Sequence, residues 1–134
     1  MIIDGKNLII GRMATIVAKK ALMGEEIIIV NCEQMIISGS KKMVFTHYKE
    51  RRERGDPHHG PKYPKQPDRI IRRAIRGMLP YKDERGRKAF ERVKCYIGLP
   101  ENLKNLKLET IKSAEASRLK TLKQQKIGEI ASQI

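Results

Sequence analysis

The chain has 134 residues, 40% hydrophobic and 33% charged, which suits a globular domain that buries a core without staples and not a disordered segment. Its 29 Lys and Arg against 15 Asp and Glu give a formal charge of +14, and a single-sign field of that size favours a polyanionic partner, nucleic acid first. No apolar run approaches a membrane span, no basic-then-apolar leader opens the chain, and Cys32 and Cys95 stand 63 positions apart with no CxxC pair, so the composition points to a cytoplasmic protein with no membrane, zinc site or redox motif and with two buried, reduced thiols.

Charge is unevenly placed. Residues 1–40 hold four basic and four acidic side chains, residues 41–94 hold 18 and seven, and residues 95–134 hold seven and four. The middle section, at net +11, is the candidate binding surface.

The neutral part has a β-α-β rhythm. Apolar Met1 to Ile3 and a turn at Asp4-Gly5 precede a helix predicted from about Gly11 to Met23, which Gly24 ends. Ile27 to Val30 is a continuous β-branched run, as in a parallel strand covered on both faces at the centre of a sheet. A third short run, Met35 to Ile37, leads to Ser38-Gly39-Ser40, where a Ser should cap a helix continuing through Val44, Phe45 and Tyr48.

Residues 51–67, RRERGDPHHGPKYPKQP, contain four Pro and two Gly and predict a long basic loop, mobile without a partner. Asp68 then reads as the N-cap of a helix ending near Leu79. On its wheel Ile70, Ile71, Ala74, Ile75, Met78 and Leu79 share one half, while Arg69, Arg72, Arg73 and Arg76 share the other and point outward as a row. Loss of those guanidiniums should impair nucleic-acid binding and barely affect folding. A basic turn, Tyr81 to Lys88, leads to a strand over Val93 to Ile97. In the tail, Leu119, Leu122, Ile127, Ile130 and Ile134 recur at helical spacing and predict an amphipathic helix over about 113–134, with Gly128 weakening its last turns.

Three segments carry a resemblance: LIIGRMATIVAKKALMGE, whose first residue is Leu8, then VNCEQMIISG from Val30 to Gly39, and above all IRRAIRGMLPYKDERGRKAFERVKCYIG from Ile71 to Gly98. With Gly77 to Pro80, Gly86-Arg87 and Tyr96-x-Gly98 at the right distances, the chain resembles the universal large-subunit ribosomal protein family numbered thirteen over about residues 1–100. Cys95 departs from that pattern, where an aliphatic or aromatic residue is usual, and the tail looks more archaeal and eukaryotic than bacterial. The resemblance implies a three-layer α/β/α fold around a small, mainly parallel central sheet, no cofactor, and a place on large-subunit rRNA beside neighbouring large-subunit proteins. The organisation expected is a single rRNA-binding domain over residues 1–134, with the loop at about 51–67 and the helical tail at about 113–134.

The candidate RNA contacts follow the charge. They are Lys41 and Lys42 at the capped helix, and Arg51, Arg52, Arg54, His58, His59, Lys62, Tyr63 and Lys65 on the loop. Arg69, Arg72, Arg73 and Arg76 form the row, and Lys82, Arg85, Arg87 and Lys88 the basic turn. Arginine suits the task because its planar fork grips phosphate with two hydrogen bonds and stacks on bases.

Other readings are weaker. Asp56, His47, His58 and His59 lack a rigid metal geometry, and Glu50, Glu53, Asp83 and Glu84 sit among cations that they temper. Ser38 to Lys42 lacks the full phosphate-loop spacing, and Gly5 and Gly11 fail the dinucleotide pattern, so no small-molecule substrate is indicated. An enzyme should gather acids, bases or metal ligands, and a DNA reader should offer a helix free to enter the major groove. A fixed domain with a basic arm suits structured RNA better than either.

Overall fold

The computed structural model describes residues 1–134. Three short strands, β1 (Ile2–Asp4), β2 (Ile27–Val30) and β4 (Val93–Cys95), form a parallel sheet in the order β1-β2-β4. A second, antiparallel pair joins β3 (Ile36–Ser38) to β5 (Gln124–Lys126). The chain is thus mixed α/β with a small, mostly parallel sheet, and the β-branched run at Ile27 is its central strand. Side chains in register share a face, so Ile3, Ile29 and Cys95 line up on one side, and Ile27 joins Val93 there. The other side carries Ile2, Ile28 and Lys94. Ile28 is only half-buried and Lys94 is exposed, so β2 is less completely covered than its unbroken apolar run suggests.

Five helices complete the fold: α1 (Ile10–Leu22), α2 (Lys41–Glu53), α3 (Pro67–Gly77), α4 (Glu84–Glu91) and α5 (Ile127–Gln133). Helix α1 turns Ile10, Met13, Ala14, Val17, Ala18 and Ala21 inward, and its Ala-rich face permits close packing against α3 and α4. The Arg92 guanidinium donates to the Ala21 carbonyl at 3.0 Å, a cation added at a helix C-terminus where the Gly24 amide already bonds the same oxygen. Ser40 caps α2 as expected, its Oγ accepting from the Met43 amide at 3.4 Å. On α3, Ile70, Ile71 and Ile75 are buried, and Leu79 follows just beyond the helix. Twenty-four buried side chains, drawn from the sheet, all five helices and the segments between them, form one contiguous core.

Four local expectations are corrected. Helix α2 persists through Glu53, so Arg51 and Arg52 belong to its last turn and the loop proper starts at Arg54. Gln66, not Asp68, is the N-cap of α3, and Pro67 takes the first helical position, where its missing N–H costs nothing. Met78 is exposed instead of buried, beside the Thr15 hydroxyl at 3.6 Å. Residues 84–91 are helical where a basic turn was expected, so the strand that follows stops at Cys95.

The tail is the largest correction. Instead of one helix over 113–134, it runs through short 3-10 turns at Lys112–Ala114 and Ala116–Arg118, then β5, then only two turns of α5. Backbone pairing between β3 and β5 overrides the helical spacing, and Leu122 is left fully exposed. Gly128 serves a close approach and not a weak helix end: a Cβ there would sit 3.0 Å from the Glu33 carbonyl.

Gly86 is tighter still, because a Cβ would overlap the Pro80 carbonyl. That close approach ties Gly86 to Pro80 within the turn. Gly86→Ala should therefore cost about 1–3 kcal/mol, or more if the turn cannot shift. Gly77→Ala, which meets nothing within 4 Å, should be neutral or slightly stabilising. Urea melts of the two variants check the contrast, and equal stabilities would refute it.

Candidate nucleic-acid interface

Helix α3 holds the centre of the basic section. Arg69 is exposed, but the other three guanidiniums are half-buried and each lies over an aromatic ring. Arg72 stacks on Phe90 at 4.3 Å, Arg73 on Tyr63 at 4.5 Å and Arg76 on Tyr81 at 5.1 Å. The rings continue the pattern. Tyr81 meets Phe90 edge-on at 5.6 Å, closing a set of Arg72, Phe90, Tyr81 and Arg76 against α4, while Tyr63 leads on to Tyr48 and His47 on α2. A guanidinium stacked by one face still has N–H groups around its edge, so stacking orients the fork without removing it from a phosphate.

Tyr63 is consequently drawn inward. It packs against the core beneath Arg73, and Arg73 Nη1 also donates to the Lys62 carbonyl at 3.4 Å. These contacts anchor the end of the loop to α3. The loop tip carries its own small structure, with Asp56 and Gly60 exchanging backbone hydrogen bonds of 2.8 and 3.1 Å. The Asp56 carboxylate accepts from the His58 amide at 2.9 Å and lies 3.3 Å from His59 Nδ1, leaving both imidazoles exposed.

The remaining cations surround α3. Lys41 and Lys42 are exposed in the first turn of α2, Arg51 and Arg52 in its last, and Arg54, Lys62 and Lys65 along the loop. Lys82, Arg85, Arg87 and Lys88 are exposed on and before α4. Of the Lys and Arg side chains expected to bind RNA, Lys88 alone has a carboxylate partner, Glu84 at 3.0 Å. Between α3 and the end of β4 lies a cleft of about 330 Å³ lined by Asp68, Arg69, Arg72, Glu91, Lys94, Cys95 and Tyr96. Asp68 Oδ1 and Arg72 Nε are buried there without hydrogen-bond partners.

One contribution escaped sequence reasoning. The Gly39 amide donates to the Lys123 carbonyl at 2.9 Å, which brings the tail beside Lys41 and Lys42. Lys123 thus joins the basic patch through strand pairing, with no local signal to reveal it. No three His, Cys, Asp or Glu side chains gather in a geometry that could hold a metal. No helix is long and apolar enough to cross a membrane.

Comparison with known proteins is decisive about kinship. The family model described as ribosomal protein L13 matches residues 1–102. The chain belongs to the ribosomal protein L13 family. It is 48% identical over 134 residues to the large ribosomal subunit protein uL13 of Methanosarcina barkeri, covering 99% of this chain and 96% of that one. The same protein of Methanococcoides burtonii is 44% identical, with 99% and 96% covered, and that of Methanopyrus kandleri 42% identical, with 99% and 85% covered. All three motif segments fall inside the matched region, and the archaeal relatives extend through the tail. Membership in the L13 family therefore bears out the resemblance read from Leu8, Val30 and Ile71 onward.

Two predictions follow from the geometry of this L13-family chain. Sequence reasoning left the Arg row free, whereas three stacked guanidiniums at about 0.5–1 kcal/mol each should make Arg72, Arg73 and Arg76 jointly worth about 1.5–3 kcal/mol. The triple Gln variant should melt earlier, and Arg69→Gln should not; a triple variant as stable as the parent would show that the rings contribute nothing.

Tyr48 gives the second. Burial, and then the neighbouring Tyr63, push its phenol up from 10 to about 12. Between those values the unfolded chain has released the proton that the folded chain still holds, so stability falls as pH rises through the window. Tyr48→Phe should flatten that fall in urea melts across the same range, and an unchanged slope would count against it.

Proposed function

We propose that the chain is a structural constituent of the large ribosomal subunit that binds and braces large-subunit rRNA during assembly and in the mature particle, without catalysing a reaction. The observation that carries this reading is the set of unpaired cations around α3. A fold that leaves so many Lys and Arg without carboxylates bears self-repulsion, which phosphates relieve. Family membership supports it, since the archaeal relatives are named as large-subunit proteins. Its working place is then the ribosome, in the cytoplasm, beside rRNA and neighbouring large-subunit proteins.

In this reading the residues divide by task. Arg69, Arg85 and Arg87, exposed and unstacked, take phosphates directly. Arg72, Arg73 and Arg76 offer forks fixed by their rings, and fixed donors lose less freedom on binding. Lys41, Lys42, Arg51, Arg52, Arg54, Lys62, Lys65, Lys82 and Lys88 extend the electrostatic footprint. His58 and His59 at the loop tip meet unstacked bases or 2′-hydroxyls, the features through which RNA is distinguished. Tyr63 acts from beneath, by seating Arg73.

The test is binding of the full chain to large-subunit rRNA fragments at graded salt. With about six phosphates engaged, log K should fall against log salt with a slope of magnitude about 4–5. Replacing Arg69, Arg85 and Arg87 together with Gln should reduce the slope by about 2–3 and leave the melting temperature near the parent's. A slope near zero, or crosslinking in cells that recovers scattered messenger RNA without rRNA, would overturn the proposal. Amide exchange with and without the fragments adds a check on the loop: residues 54–61 should exchange fast in the free chain and slow on RNA, and protection of the free tip would contradict a partner-ordered arm.

A further inference from the structure

Cys32 and Cys95 are far apart in sequence, and their spacing matches no redox motif. The fold nevertheless brings them together where β2 passes into the turn that follows it. Ile29 is the register partner of Cys95. The Ile29 carbonyl accepts the Tyr96 amide at 2.8 Å and has Cys32 Sγ only 3.8 Å away. The Cys32 amide in turn donates to the Tyr96 carbonyl at 3.2 Å. Cys32 is thus hydrogen-bonded to the residue that follows Cys95, and its sulfur lies against the carbonyl of Cys95's own register partner, which sets the two cysteines side by side at the end of the sheet. Access differs between them: Cys32 is fully buried, whereas Cys95 is half-buried and lines the open cleft beneath Arg69 and Arg72. The Cys95 thiol beside it, and then burial, push the Cys32 thiol well above the ordinary range, so Cys32 waits as an un-ionised thiol.

We propose that Cys32 and Cys95 form a peroxide-responsive dithiol, a reversible modification site at the base of the basic section. Cys95, the thiol that solvent reaches, attacks one oxygen of hydrogen peroxide as its thiolate. The O–O bond breaks, Cys95 becomes a sulfenic acid, and the second oxygen leaves as water after taking up a proton. The Cys32 sulfur then attacks the Cys95 sulfur and displaces hydroxide, which takes the Cys32 proton and leaves as a second water. Two thiols lose two electrons, and one peroxide is reduced to two waters. The new bond joins residues 32 and 95, and the loop it closes holds α2, the basic loop, α3 and α4, the whole of the unpaired positive charge around the Arg row. Cross-linking so long a loop restricts the unfolded chain strongly, so oxidation locks that section in place.

The test uses the full chain in its reduced, folded form. After dilute hydrogen peroxide and removal of the excess, the protein is denatured, alkylated with N-ethylmaleimide and weighed intact. The expected product is a monomer about 2 Da lighter that takes up no alkylating agent, yields a peptide pair joining residues 32 and 95, and reverts with dithiothreitol. Its melting temperature should rise by about 5 °C or more. Cys95→Ser should leave Cys32 unoxidised and alkylatable, and Cys32→Ser should let Cys95 proceed to species that gain oxygen. The parent protein decides the matter even if either variant folds poorly. Disulfide-linked dimers, gain of oxygen on Cys95 without a bridge, or two alkylated thiols after peroxide would each overturn the proposal.

Discussion

Four guanidiniums on one eleven-residue helix repel one another, while the opposite side of that helix must sit in an apolar core. The fold meets both demands with aromatic rings drawn from outside α3. Phe90, Tyr81 and Tyr63 present negative ring faces to Arg72, Arg76 and Arg73, and each ring rests against the core or against another ring. The position of α4 and of the loop's end follows from that arrangement. Phe90 reaches Arg72 from α4, whose first turn folds back on Pro80 where Gly86 has no side chain to strike its carbonyl. The Arg row, the Pro80 turn and Gly86 form one mechanical unit.

That unit explains how a protein with a formal charge of +14 keeps a defined shape alone. Its charge is neither neutralised by carboxylates nor left on freely rotating side chains. Stacking limits the rotamers of three arginines, so less freedom would remain for any bound anion to remove. The exposed Lys and Arg around them act at longer range and through salt-screened attraction.

The parts of the fold that local pattern determines were legible. Ile10 to Leu22 and Ile70 to Ile75 keep their apolar residues on one helical stripe, and Ile27 to Val30 has the β-branched run of a central strand. Helix α4 was hidden because only Gly86 and Ala89 of its eight residues are buried, too few to mark a stripe. The tail misled because Leu119, Ile127 and Ile130 do fall at helical spacing, yet the stretch before Ile127 is decided by backbone bonds to β3. The candidate site divides the same way. Which side chains are basic and lie together could be read directly, but the rings beneath them could not, since Tyr63 and Phe90 reach α3 only through the folded chain. The meeting of Cys32 and Cys95 is equally non-local.

The pairing of β3 with β5 has a consequence for the order in which the chain takes shape. Residues 1–30 contain β1, α1 and β2, whose mutual contacts are available early in synthesis. Strand β3 differs, because its partner is not made until residues 124–126, after the whole basic section has emerged. Until then the apolar run Met35-Ile36-Ile37 has an unpaired edge, the kind of surface that recruits other strands. Lys41, Lys42 and the net +11 of residues 41–94 follow it directly, and their repulsion keeps one nascent chain from docking on another. The same charge thereby also acts as a guard during the chain's own folding.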